Sequence, residues 1–186
     1  MIKADQYISS KELFKWDTQL QLGLRRGHVA KGDLFLKEGQ RCDYFYYLLE
    51  GFVRIYYHDL NANQITHWFS QANSMITSPL SFLKGEKNIL YFEALEPTEL
   101  LMITASQIKN ITTAIPSAGE AFRRLNAEFA IALSRRVMSI HTQTTEERYL
   151  QLIDEHPYLF QKANLGHIAS FLGITPQSLS RVRKKL

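Results

Sequence analysis

The residues best suited to chemistry lie near the end of the chain. In residues 164–186, NLGHIASFLGITPQSLSRVRKKL, Gln177 and Arg181 stand four positions apart, a spacing that puts both on one face of a helix. Glutamine can pair with the N6 and N7 edge of adenine, and arginine with the O6 and N7 edge of guanine, in a DNA major groove. Thr175, Ser178 and Ser180 add short hydroxyls suited to phosphate oxygens at a helix N-terminus, a position that itself favours an anion. Arg183, Lys184 and Lys185 supply further charge.

Two helices must hold these groups. Asn164 can cap the first, whose inward face is Leu165, Ile168, Ala169 and Leu172 and which ends at Gly173, the residue that most easily takes a left-handed turn. Thr175 caps the second, with Pro176 at its first position, where a missing N–H costs nothing; Leu179 and Val182 face inward. Helix, short glycine-containing turn and helix is the DNA-binding helix-turn-helix arrangement. A solvated basic face on an ordinary terminal helix is the plainer alternative. The glycine turn, the Thr-Pro start and the absence of acids argue against it.

The charge distribution points the same way. The 186 residues carry a formal net charge of +4. Residues 1–116 balance at 12 basic and 12 acidic side chains, whereas residues 117–186 hold 10 basic and 6 acidic, and from Pro157 onward there are 5 basic and no acidic residues. The excess sits at one end, as expected of a segment that meets a polyanion. At 45% hydrophobic the chain can build one large or two small cores.

Enzymatic and metal chemistry find little support. A single cysteine, Cys42, allows no internal disulfide, Cys-rich zinc site or iron–sulfur cluster, and fits a reduced cytoplasmic setting. His28, His58, His67, His141, His156 and His167 are scattered, without a His-x-His pair. No Ser/His/Asp set or glycine-rich phosphate loop is present, so no catalytic residue, metal or cofactor is expected. No signal peptide or membrane span is expected either: charges interrupt the N-terminus and the apolar stretch 89–103.

Upstream, apolar spacing predicts a leading helix from Ser9 or Ser10 to about Leu22. Residues 44–49, 52–57, 65–69 and 89–95 read as antiparallel strands, with Gly32, Gly39, Gly51 and Gly85 at the corners. The aromatic run Tyr44, Phe45, Tyr46, Tyr47 reads as alternating core and surface. After Pro116, the residues Phe122, Leu125, Phe129, Leu133, Val137 and Ile140 recur at spacings of three and four along a helix of about 36 Å. Such a stripe can pack on its own β domain and also pair with a copy of itself. Thr144 and Glu147 form a capping box for the next helix, with Tyr149, Leu150, Leu152 and Ile153, and a loop is expected over 158–163.

The stretch IASFLGITPQSLSRVRKKL closely resembles the helix-turn-helix of the Crp/Fnr family of bacterial transcription regulators. KGDLFLKEGQ and YFYYLLEGFVRIYY resemble that family's cyclic-nucleotide-binding β-roll, and the long helix resembles its dimerisation helix. The resemblance spans about residues 10 to 186. It implies an α+β fold: an antiparallel β-roll (a double-stranded β-helix) over 1–116, a dimerisation helix over 117–142 and a helix-turn-helix domain over 143–186. It also implies a homodimer on a near-palindromic operator, possible contact with RNA polymerase, and Gln177 and Arg181 where the family reads bases. Pro176 replaces an arginine common before the glutamine. Members often continue into a β-hairpin wing, and this sequence ends at Leu186 within the basic run.

In the family, cyclic-nucleotide binding uses a Gly-Glu-Leu turn followed by Arg-Ser or Arg-Thr. Aligning Phe82 and Gly85 puts Thr77 and Ser78 at the Gly and Glu positions, and Asn88 and Ile89 at the Arg and Ser positions. Without its guanidinium partner a phosphodiester loses a charge-assisted bidentate contact, so cyclic AMP and cyclic GMP are not expected to bind. The expected effector is either a different small molecule or none. The competing reading is a β-roll small-molecule sensor or a cupin-like metal enzyme that does not bind DNA.

Overall fold

A computed structural model describes residues 2–185; Met1 and Leu186, the two ends of the expected domains, lie outside the described residues. The eight strands are β1 (Arg25–Val29), β2 (Leu34–Leu36), β3 (Tyr44–Glu50), β4 (Phe52–His58), β5 (Gln64–Gln71), β6 (Met75–Ile76), β7 (Tyr91–Ala94) and β8 (Thr98–Thr104). They form two four-stranded antiparallel sheets ordered β1-β8-β3-β6 and β2-β7-β4-β5. The helices are α1 (Ser10–Leu20), α2 (Pro79–Lys84), α3 (Ala105–Ala114), α4 (Pro116–Thr142), α5 (Thr145–Glu155), α6 (Leu159–Lys162), α7 (Leu165–Leu172) and α8 (Pro176–Lys185). The expected α+β order of β-roll, long helix and terminal helix-turn-helix is the observed one.

Local chemistry explains many of the boundaries. Reciprocal capping boxes start α1 (Ser9 with Glu12), α3 (Thr104 with Gln107) and α5 (Thr144 with Glu147). The region expected to be a loop over 158–163 instead holds α6, because Leu159 is pulled into the core shared by the C-terminal helices. Between β3 and β4, Gly51 adopts φ 101, and a Cβ there would lie 2.3 Å from the Thr98 hydroxyl and 2.8 Å from the Pro97 carbonyl. That corner lets the chain pass from one sheet to the other against the β8 entry.

The sheets enclose an interior of Leu36, Tyr46, Leu48, Val53, Ile55, Phe92 and Leu100. The other face of β3 and β8, carrying Tyr47, Leu101 and Ile103, is covered by α1, α3 and the first turns of α4 through Leu13, Ile111, Ala118, Phe122 and Leu125. Helices on the second face correct the expectation for residues 44–47: Tyr46 and Tyr47 are both buried, and Tyr44 and Phe45 are partly so. The α4 stripe divides in two. Phe122 and Leu125 are buried and Phe129 packs at the edge of the same core, while Leu133, Val137 and Ile140 are 40%, 57% and 46% exposed.

The core gathered by α5 to α8 includes Phe52 and Phe69 from the roll, whose rings stack at 5.6 Å. Tyr149, Leu152, Leu159, Ile168, Ala169, Leu172 and Leu179 complete it. Leu165, expected to face inward, is exposed, as are Leu150 and Ile153 on α5, since each lies on the side of its helix away from this core.

Gly51→Ala is expected to cost at least about 2 kcal/mol in chemical denaturation, because it adds a backbone clash to the strain of a positive φ. Gly39→Ala, also at positive φ but with open space at its Cβ, carries the strain alone and is expected to cost about 1 kcal/mol. Equal losses would refute the steric account.

Candidate nucleic-acid interface

The turn between α7 and α8 is built by backbone hydrogen bonds. Gly173 takes φ 72, its N–H reaches Ala169 O and Ser170 O, and the Ile174 N–H donates to Ala169 O at 3.0 Å. This double closure ends α7 and redirects the chain within three residues. The Ser178 N–H then donates to Thr175 Oγ1 at 3.1 Å, so Thr175 caps α8 with Pro176 as its first residue.

Leu179 is buried and Val182 packs at the margin of the same core, which fixes the rotation of α8. With about 100° per residue, Gln177, Ser180, Arg181 and Lys184 fall on the side opposite Leu179 and Val182, and all four are exposed. Arg183 and Lys185 flank that stripe, one on each side, and are also exposed. Ser178 is partly buried: its Oγ accepts the Thr175 hydroxyl at 3.0 Å and Arg181 Nη2 at 3.4 Å. Thr175 and Ser178 thus serve the helix start and the orientation of Arg181. The segment presents no carboxylate.

What holds this unit in place is Arg54, a residue that the sequence reading passed over. It lies on β4 at 1% exposure, with Nε donating to Thr66 Oγ1 at 3.0 Å and its guanidinium 4.4 Å from the Tyr56 ring centre. Its Nη1 reaches Gln64 Oε1 at 2.7 Å, His167 Nε2 at 3.0 Å and Glu93 Oε2 at 3.3 Å. Burial lowers the Arg54 pKa, and Glu93 opposes the shift. The one available signal was a charge inside the apolar run FVRIYY.

His167 completes the junction in a defined protonation state. Arg54 can only donate, and Asn164 Oδ1 already accepts the His167 N–H at 2.8 Å, so the Asn164 amide nitrogen also donates to Nε2, at 3.1 Å. Nε2 is therefore an acceptor and the neutral ring carries its proton on Nδ1. Burial, reinforced by Arg54, lowers the pKa to about 4. Beside it, Ser170 Oγ accepts from Thr66 N at 2.8 Å and donates to Gln64 O at 3.0 Å. β5 is an edge strand, and this one side chain satisfies backbone groups that the edge leaves unpaired. Arg136 on α4 adds a third fastening, with Nη2 donating to Phe171 O at 2.9 Å and the guanidinium 3.9 Å from the Phe171 ring centre.

The positions aligned with the phosphate cassette are occupied by structural bonds. Thr77 Oγ1 donates to Tyr44 O at 2.9 Å and Ser78 is buried at the start of α2. Asn88, buried, donates through Nδ2 to Lys37 O at 2.8 Å and Leu90 O at 2.5 Å, and its Oδ1 accepts from Leu90 N at 2.9 Å. Ile89 is exposed. Nearby, Phe35, Tyr46 and Phe92 pack edge to face with centroids 5.3 to 6.1 Å apart. Among the described residues no group of three or more His, Cys, Asp or Glu is placed to hold a metal ion. No described helix is long and apolar enough to cross a membrane.

The His167 geometry generates a pH prediction. Released from the roll, the ring regains an ordinary value near 6.5, so between pH 6.5 and 4 the released state binds more protons and acidification favours release. NMR signals of α7 should move from docked toward released positions on going from pH 7.5 to 5. His156 is also held near 4 by burial and titrates in the same sense, so the comparison is with His167→Gln, which should lose much of the response. An unchanged response in that variant would exclude His167 as its source.

Residues 26–114 match the cyclic nucleotide-binding domain family. No curated protein sequence matches the chain significantly. Among solved structures, FixK2 from Bradyrhizobium japonicum is similar at a TM-score of 0.74 and 17% identity, over 89% of this chain and 85% of that one. The c-di-GMP responsive global regulator CLP of Xanthomonas campestris is similar at 0.72 and 13% identity, over 92% and 90%. The Thermus thermophilus catabolite activator protein is similar at 0.58 and 17% identity, over 98% and 85%. Residues 26–114 thus match the cyclic nucleotide-binding domain family, and the chain as a whole shares the fold of these solved structures.

Proposed function

We propose that the protein is a homodimeric, sequence-specific DNA-binding transcription regulator of Crp/Fnr type, acting in the cytoplasm and not as an enzyme. The observation that carries this reading is the exposed stripe Gln177, Ser180, Arg181 and Lys184 on α8, held outward by Leu179 and flanked by Arg183 and Lys185. Gln177 and Arg181 read base edges; Lys184, Arg183 and Lys185 hold phosphates. Thr175 and Ser178 set the helix start, where backbone N–H groups favour a phosphate.

The chain divides into a sensor-like roll, a dimerisation helix and a reading head, at about residues 116 and 142. The exposed Leu133, Val137 and Ile140 support pairing of α4 with a second copy, which sets two recognition helices about 34 Å apart, one DNA turn. RNA polymerase is a further partner on this reading. Selection of bound DNA from a random pool tests it, since a palindrome would report function, symmetry and half-site spacing together. A unit without salt-sensitive DNA binding would instead be a sensor using the roll alone.

On the selected operator, Arg181→Ala should weaken binding by about 1 to 3 kcal/mol and relax one base position. Lys184→Ala should weaken all sequences alike and lower the salt slope by about one per site. Unchanged operator affinity in Arg181→Ala would remove the base-reading role.

Cyclic AMP and cyclic GMP are not the effector on this reading, because Asn88 spends its amide on the Lys37 and Leu90 carbonyls and no arginine stands in its place. Calorimetric titration should show no micromolar binding of either nucleotide. Such binding would overturn the loss of the cassette.

A further inference from the structure

A cavity of about 740 Å³ opens between the N-terminal segment, β5, α4, α5 and α7, away from the Thr77 to Asn88 region. Its lining includes Lys3, Arg135, Arg136 and Arg148 as cations, Glu128 and Glu155 as acids, and an apolar wall of Trp68, Ile131 and Leu172. Its volume lies within the range of small-molecule sites, which pair an apolar wall with a few convergent polar groups.

Two of the cations are held in place yet incompletely used. Arg136 is fixed by its Nη2 bond to Phe171 O and by the Phe171 ring, while Nη1 is buried with no hydrogen-bond partner. Arg148 is fixed by Nη1 donating to Gln143 O at 2.7 Å, while Nε is buried with no partner. Among the described residues, neither forms an ion pair with a carboxylate. Burial lowers the Arg136 pKa to about 10, as expected of a guanidinium short of an anion. Buried donors of this kind are rare without a reason, and two on the wall of one cavity have a common remedy in an anionic ligand.

We propose that this cavity binds an amphipathic organic anion, its carboxylate or phosphate held by Arg136 and Arg148 and its apolar body packed on Trp68, Ile131 and Leu172. Arginine's planar fork suits either oxyanion, and an apolar body of ring size fits the remaining space. The ligand would touch the roll, the long helix and α7 together, since Arg136 also fastens Phe171. That it would act on the reading head rests on the DNA-binding reading; the binding site itself does not.

The test is an NMR titration of the full chain, with the Trp68 indole N–H identified by Trp16→Phe. The probes are indole-3-acetate against indole-3-acetamide, phenyl phosphate against phenol, and inorganic phosphate alone. At least one organic anion should shift the Trp68 indole signal and the Nε signals of Arg136 and Arg148, and bind at least tenfold more tightly than its neutral counterpart. Which anion does so distinguishes carboxylate from phosphate. Arg136→Gln and Arg148→Gln should each weaken binding at least tenfold, Arg136→Lys should restore part of it in a folded chain, and Lys84→Gln on distant α2 should change nothing. Equal binding of neutral and anionic probes, inorganic phosphate binding as tightly as the organic anions, or no shift of Trp68 would overturn the proposal. None of these readouts uses DNA, so failure here leaves the DNA-binding reading standing, and failure to bind DNA leaves this site standing.

Discussion

A guanidinium almost wholly withdrawn from water must place its hydrogens on acceptors or cost several kcal/mol. Arg54 meets that demand by drawing Thr66 and Gln64 of β5, Glu93 of β7 and His167 of α7 to one point on β4. Three adjacent strands and the first helix of the helix-turn-helix therefore share a single buried charge. α7 adds to the cover of this charge through His167, and the charge in turn gives α7 a donor to align on. Ser170 of α7, bonded to the β5 edge, and Arg136 of α4, bonded to the end of α7, extend the same seam on either side.

This seam makes roll and head one packing unit in the described chain. Phe52 and Phe69 belong to the sheet by sequence and to the helical core by contact. The small helices α5 to α8 gain a floor that they are too short to build among themselves, and the roll gains cover for an edge strand that would otherwise offer unpaired backbone. The junction is polar at Arg54 and His167, so it is held by geometry and protonation state as well as by apolar area. Such contacts are sensitive to small displacements, whereas the interior of the roll, filled by Phe35, Tyr46 and Phe92, is not organised around a charge.

Much of the local architecture was legible in the residues. Ser9 with Glu12 and Thr144 with Glu147 mark helix starts through reciprocal hydrogen bonds that need no distant partner. Gly173 and Thr-Pro at 175 and 176 define the turn and the start of α8 for the same reason. The strands with aromatic and branched runs were readable, while β1, β2, β6 and β8 were not. Arg25–Val29 carries two arginines and a histidine, and Met75–Ile76 is only two residues long, so neither shows an apolar period; both exist through pairing with β8 and β3. The burial of Tyr46 and Tyr47 together, and the exposure of Leu150, Ile153 and Leu165, follow from which faces other elements cover. Periodicity alone cannot supply that information.

The sequence by itself determined the exposed basic face of α8: its residue types, their spacing, the cap that starts the helix, and the charge that gathers at that end. Those features rest on contacts within a few positions of one another, where covalent connection already brings the groups together. Only the tertiary structure decided that Arg54 is a buried hub, that His167 is neutral and accepts from it, and that Asn88 ties two loops where the resemblance implied a lost phosphate contact. It also decided that the α4 stripe is half core and half exposed, and that Arg136 and Arg148, each with a buried donor left unpaired, line one cavity. Each of these depends on groups up to 113 positions apart in the chain, as Arg54 and His167 are, and on the exclusion of water that only their packing creates.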